Sequence, residues 1–313
     1  MHAAAISPRG GVAPKTTLLR GQSIIEYVLI VAVIGLVIVF AGPGVAGAIR
    51  NQFNQVTNTV DSGASGDNFM SAEEKAYREA MKTVVNKEAK DWTLDEQKAA
   101  ATDIAKNGTS SPVYAKAKAA MDAGTKFSIK LTNGKTLEYR IVGINHDDLA
   151  DSSGKAGLTF EATSTALAAQ RMNATNTNAG GWEASELRGR LNTGDLWSLL
   201  PSELQSKVKP VTKMTDNQGG GKAGTPTATA DKVFLLSTTE LYGDLQSDGV
   251  QYEYYKSKGV TKSNYSGASS SNYHWTRSVY PFDPANFRYV NSSGAYSASY
   301  ATVTSCVFPA FCF

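Results

Sequence analysis

Two cysteines and three histidines in 313 residues leave little for catalysis or cross-linking to work with. Cys306 and Cys312 lie six residues apart at the C-terminal end. A disulfide needs Cα atoms within about 7 Å, and an extended segment of that length spans about 20 Å. A bridge would need a sharp reversal, for which Pro309 is placed, and cysteine usage leaves the compartment undecided. His2 precedes every structural signal, and neither His146 nor His274 has a readable nucleophile partner; no G-x-S-x-G occurs. Gln218-Gly-Gly-Gly-Lys222 lacks the first glycine and the closing hydroxyl of a phosphate loop, with Asp216 and Ala223 in those places, and reads as a flexible loop. Excess charge is missing too. Of 31 basic residues Arg9, Lys15 and Arg20 precede Gly21, leaving 28 against 28 acidic. A neutral chain without a Lys/Arg stripe excludes nucleic acid as a partner.

One long apolar run is present, Ile24 to Phe40, interrupted only by Glu26. At about 1.5 Å per residue, a helix from Ser23 to Ala41 covers most of a hydrocarbon core of about 30 Å. Basic residues before it and none within it place the N-terminus in the cytoplasm and everything after Arg50 outside. Ala46-Gly47-Ala48 imitates the cleavage site of an ordinary secretory signal, which is the competing reading.

Gly21-Gln22-Ser23-Ile24-Ile25-Glu26-Tyr27 resembles the processing site of type IV pilin-like proteins, closest to Flp-type pilins and class III signal peptides. The resemblance implies that a prepilin peptidase cuts between Gly21 and Gln22. It also implies that Glu26 and Tyr27 serve assembly with other pilin subunits, the glutamate neutralising a neighbour's N-terminal amine. A carboxylate inside a membrane segment is costly unless paired, which accords with such a role; a glutamate snorkelling at the membrane edge is the plainer alternative. Gly42-Pro43-Gly44 then breaks the helix. Flp pilins are very short, so a chain of this length resembles a minor pilin rather than a major subunit.

Residues 51–125 read as a linker and helical stalk. Asn51 to Asp67 is polar and Gly/Ser/Asn-rich. Ser71 with Glu74 and Thr93 with Glu96 have capping-box spacing, and Tyr77, Met81, Val84 and Val85 fall on one helical face. Asn107-Gly108 ends a second helix; Ser111-Pro112 opens a third, with Val113, Tyr114, Ala117 and Met121 on one side, which stops near Gly124.

Residues 126–313 read as an α+β domain with long loops. Asn133-Gly134 between alternating runs predicts a hairpin of Phe127–Leu131 with Leu137–Ile144. Further strands are expected at 158–161, 232–236 and 287–290, with helical material around 184–191 and 196–204. Clustered carboxylates ligate calcium, but His146, Asp147, Asp148 and Asp151 lack EF-hand spacing and read as a polar turn.

Gly181-Trp182-Glu183, Ser185-Glu186-Leu187-Arg188, Leu191-Asn192, the 232–237 segment with Glu240, His274 to Ser278, Tyr289 to Gly294 and the closing Pro309-Ala310-Phe311 resemble, in that order, a bacterial surface domain. It is similar to the C-type-lectin-like and formylglycine-generating-enzyme fold, and to variable proteins of diversity-generating retroelements. Cys306 and Phe308 depart from that pattern. The resemblance implies hypervariable loops between Ser278 and Thr304, where Tyr and Ser supply rigid contact area and adaptable hydrogen bonds. The expected ligand-binding residues are Tyr280, Phe282, Asn286, Tyr289, Tyr296 and Tyr300; packing is the competing explanation for spaced tyrosines.

The whole chain then reads as a membrane-anchored, surface-displayed, minor pilin-like adhesin or receptor. It comprises a leader (1–21), a transmembrane helix (22–50), a stalk (51–125) and a lectin-like head (126–313). Its expected partners are prepilin peptidase, pilin subunits, the membrane and a ligand on a host cell, phage or microbe, with no cofactor or metal. Two alternatives stay open: a structural pilin or pseudopilin that binds nothing else, and an enzyme of the formylglycine-generating type.

Overall fold

The computed structural model describes residues 70–243 and 245–313. The leader, the apolar segment with Gly21, Gln22, Glu26 and Tyr27, and the 51–69 linker lie outside the described residues. Among the described residues no helix is long and apolar enough to cross a membrane.

Three helices come first: α1 (Ala72–Val84), α2 (Leu94–Asn107) and α3 (Tyr114–Ala123). Thr93 and Glu96 form a complete capping box, each side chain accepting from the other's backbone N–H. Ser71 accepts from the Glu74 N–H at 3.0 Å, but the Glu74 carboxylate turns to Arg78, so that box is half made. α2 ends at Gly108 and α3 at Gly124, whose left-handed conformation closes the last turn. Val84, Ala100, Ala101, Ile104, Val113, Ala117 and Met121 are buried in one core with the sheet that follows. The approach is close enough that a Cβ on Gly157 would stand 1.8 Å from the Ala101 carbonyl oxygen.

That sheet is antiparallel. β1 (Lys126–Lys130) and β2 (Thr136–Ile144) are joined by the expected turn, with Gly134 at φ 83°. β3 (Leu158–Ala162) pairs with β2. After α4 (Glu186–Asn192), Pro201 separates two single turns, α5 (Asp195–Ser198) and α6 (Ser202–Gln205), where the sequence suggests one stretch of helix. A hairpin follows, β4 (Val211–Thr215) with β5 (Thr227–Asp231), then β6 (Val233–Phe234), α7 (Thr238–Tyr242) and α8 (Glu253–Ser257). The expected strand at 232–236 shrinks to β6. A separate sheet is formed by β7 (His274–Val279), β8 (Asn286–Val290) and β9 (Tyr296–Tyr300).

The last strand, β10 (Ala310–Cys312), inserts between β3 and β6, giving the order β1-β2-β3-β10-β6. Phe311 stacks on Phe160 at 5.5 Å and meets Tyr139 edge-on at 5.3 Å; Phe313 lies 5.0 Å from Phe160. The C-terminal residues thus fill the core, which ties the last strand to elements 150 residues earlier. The described part is a mixed α and β fold of the α+β kind.

Candidate functional site

The three-stranded sheet carries the expected binding residues. β8 and β9 pair with Asn286 opposite Tyr300, Arg288 opposite Ala298 and Val290 opposite Tyr296. Side chains alternate along a strand and cross-strand partners share a face, so Asn286, Arg288, Tyr296 and Tyr300 lie on one side. The Arg288 guanidinium sits over the Tyr280 ring at 4.8 Å and the Tyr296 ring at 5.5 Å. Phe282 meets Tyr280 edge-on at 5.5 Å. Tyr296 rests on Tyr242 at 5.4 Å, which is buried and anchored through its hydroxyl to the Gly294 carbonyl. Five of the six expected residues therefore meet on one face.

Tyr289 does not join them. One residue out of phase with Arg288, it points through the sheet to the reverse side, against Tyr273 at 5.8 Å and Trp275 at 6.2 Å. Arg288 takes its place in the cluster. Arg288 is neither aromatic nor small and polar, so composition alone does not mark it; period-2 spacing from Asn286 does.

The face is held from below. Asn178 is wholly buried; its side-chain amide donates to the carbonyls of Asn286 at 2.7 Å, Asp283 at 2.9 Å and Tyr280 at 3.3 Å. Its Oδ1 accepts from the Gly220 N–H at 2.7 Å. One asparagine thus fastens the 280–286 loop and the glycine loop between β4 and β5. That glycine loop, expected to be flexible, is also fixed by Asp216, which accepts from the Gln218 and Gly224 N–H groups.

A buried ionic network fixes β7. Arg277, wholly buried, pairs with Glu240 through both terminal guanidinium nitrogens and donates to the carbonyls of Leu235 at 2.9 Å and Asp248 at 2.9 Å. The Lys213 ammonium stands 2.5 Å from Glu240 and 2.6 Å from Asp147. Burial alone would raise both carboxyl groups; Arg277 and Lys213 outweigh it for Glu240, as Lys213 does for Asp147, and hold both below the usual carboxylate range. Asp147 also accepts from Tyr252 and Thr159. It is therefore a structural anchor, whereas a polar turn would leave it in water. His146 stacks on Tyr252 at 4.1 Å with Nδ1 3.1 Å from Glu253. Burial lowers its pKa, but Glu253 and Asp147 reverse that and raise it. No group of three or more His, Cys, Asp or Glu able to hold a metal ion occurs among the described residues.

Both cysteines are free thiols. Cys312 is buried 3.3 Å from the Thr159 hydroxyl, and burial pushes its pKa well above the thiol's ordinary value. Burial raises the Cys306 pKa too, so the arrangement activates neither thiol. What it presents is aromatic area, a guanidinium and hydroxyls on a braced face: Phe282 is 77% exposed and Tyr300 53%.

No curated protein and no solved structure matches the chain. A family model described as a domain of unknown function, DUF6273, matches residues 156–313, from the segment leading into β3 to the C-terminus. That match spans half of the sequence, and the chain belongs to the DUF6273 family.

Proposed function

We propose that this chain is a surface-displayed, minor pilin-like binding protein. In this reading a prepilin peptidase cuts after Gly21, the apolar segment anchors the chain in the membrane, and Glu26 and Tyr27 engage other pilin subunits. A lectin-like head carries the binding face outward to a host cell, phage or microbe.

The observation that supports it best is the pairing of exposure with rigidity around Phe282. Phe282, 77% exposed, adjoins Tyr280 on the face that also carries the exposed Tyr300, and grouped aromatic area of this kind is what a partner can cover. The phenylalanine sits on a loop whose carbonyls are gripped by a wholly buried asparagine. Tyrosine and arginine are enriched in binding hot spots and phenylalanine in interface cores, and a preorganised face loses little entropy when a partner arrives. Tyr296 packs on Tyr242, but the β9 side chains at 298 and 300 project from a strand whose pairing to β8 is made by backbone groups, so they are free to vary without loss of the strand, as a diversified face requires.

The test separates binding from assembly. Phe282→Ala and Tyr300→Ala in the full chain are expected to abolish capture of the extracellular ligand while membrane insertion and cleavage after Gly21 proceed. If the same variants impair assembly and no binding is lost, the structural-pilin reading replaces this one.

A further inference from the structure

We infer that the reverse face of the same sheet holds a second, distinct site that accepts one neutral sugar ring. The cleft has a volume of about 160 Å³ and is lined by Tyr273, Trp275, Tyr289, Ser299, Val303, Thr304 and Ser305. It lies on the opposite side of β8 from Arg288 and Phe282, so it goes beyond the binding face proposed above and stands or falls separately.

Size narrows the occupant first. A water molecule occupies about 30 Å³ of liquid, so the cleft holds about five waters' worth of ligand. Pockets for drug-sized molecules run from roughly 300 Å³ upward, which makes this a single-ring subsite rather than a peptide groove.

Chemistry narrows it further. The lining contains no charged side chain, so phosphates, carboxylates and ammonium groups find no counter-ion there, and a quaternary cation would meet aromatic rings without a carboxylate behind them. The lining residues bring two tyrosine hydroxyls and those of Ser299 and Thr304, which both donate and accept hydrogen bonds and so suit a ligand that does the same. The three aromatic rings make a corner, with Tyr273 and Tyr289 at 90° and Trp275 and Tyr289 at 89°. A pyranose has one face of weakly positive C–H groups, suited to the negative face of an aromatic ring, and a hydroxyl edge suited to the serine and threonine side.

The corner is also fixed in advance. Trp275 is 2% exposed and its indole N–H donates to the Gln170 carbonyl at 2.9 Å. The Ser305 hydroxyl donates to the Tyr273 carbonyl at 2.9 Å, and Cys306 N–H donates to the same carbonyl at 3.0 Å. Tyr273 itself remains 56% exposed, leaving an open aromatic surface on a pinned backbone.

The experiment uses the full chain in lipid nanodiscs, free of sugar-based detergent, with saturation-transfer NMR against methyl glycosides of glucose, galactose, mannose and N-acetylglucosamine, and tetramethylammonium as a competitor. At least one glycoside is expected to bind with a Kd in the millimolar range. Tyr273→Ala should weaken it tenfold or more, and Phe282→Ala should leave it unchanged. Because Tyr273 is largely exposed, its variant is expected to keep the wild-type Tm, and Thr304→Ala gives a second, milder probe. Absence of transfer to every glycoside, transfer that survives Tyr273→Ala, or displacement by tetramethylammonium would each overturn the inference.

Discussion

The side-chain amide of Asn178 donates to the Asn286 carbonyl across 108 residues of sequence, at 2.7 Å and with Asn178 wholly buried. Through this contact and those to Tyr280 and Asp283, the loop that carries the exposed Phe282 is held by a residue closed off from solvent.

Asn178→Ala removes the donor to three carbonyls and the acceptor for Gly220. Buried groups left without partners cost about 1–3 kcal/mol each, so the variant should lose at least ~2 kcal/mol by urea denaturation. Hydrogen exchange should accelerate first at 219–222 and 280–287. Uniform acceleration over the whole domain would show that Asn178 is not a local clamp.

Lys213→Met leaves the Asp147 and Glu240 carboxylates buried without their shared cation. Breaking a buried ionic network on one side costs about 3–5 kcal/mol. Adding Asp147→Asn should recover part of that loss, a coupling that a double-mutant cycle measures. Simple additivity of the two variants would mean that the lysine and aspartate act independently.

Acid should weaken the fold through His274. Burial pushes its pKa down from 6.5 to about 4, and its ring stacks on Phe308 at 4.6 Å. Between those values the unfolded chain takes up a proton that the folded chain refuses. Stability is therefore intact above pH 6.5 and falls as the pH drops toward about 4, by about 3 kcal/mol from this group. His146, whose pKa is raised, acts in the opposite sense and offsets part of the loss. Tm measured against pH should fall less steeply over this window in His274→Gln; an unchanged slope would remove His274 from the account.

Much of this architecture is legible in local signals. The Thr93–Glu96 box, the glycines after α2 and α3, and Asn133-Gly134 each act within a few residues, and each sits where the chain pattern puts it. β4, β5, β9 and β10 are not legible in the same way. Thr227–Asp231 and Tyr296–Tyr300 contain few large apolar residues, so burial leaves no period to read, and their pairing is set by partners brought from elsewhere. Five residues of the face follow from aromatic and small-polar composition; Arg288 and the reversal of Tyr289 follow only once the strand register is known. Asn178 and Lys213 carry no local mark, and the acidic cluster around Asp147 points to a polar turn instead, because what makes these residues structural is burial beside residues distant in sequence.

Gly157 illustrates the same point at the joint between helices and sheet. A Cβ there would stand 1.8 Å from the Ala101 carbonyl, a distance that backbone cannot accommodate without moving α2. Gly157→Ala should cost at least as much as overpacking elsewhere in cores, about 1–3 kcal/mol, with the loss seen in thermal unfolding. A variant as stable as the parent would mean that α2 is free to shift away from β3.

If the face around Phe282 meets an extracellular ligand, site-specific cross-linking from that position captures it. A benzophenone side chain is placed at Phe282 in one full-length variant and at Arg78 on α1 in another, both exposed positions, and intact cells are irradiated with candidate host cells, phage or microbes. The account predicts adducts to a foreign surface molecule from position 282 and none from position 78. Equal adducts from both positions, or none from 282 with every candidate, would contradict it.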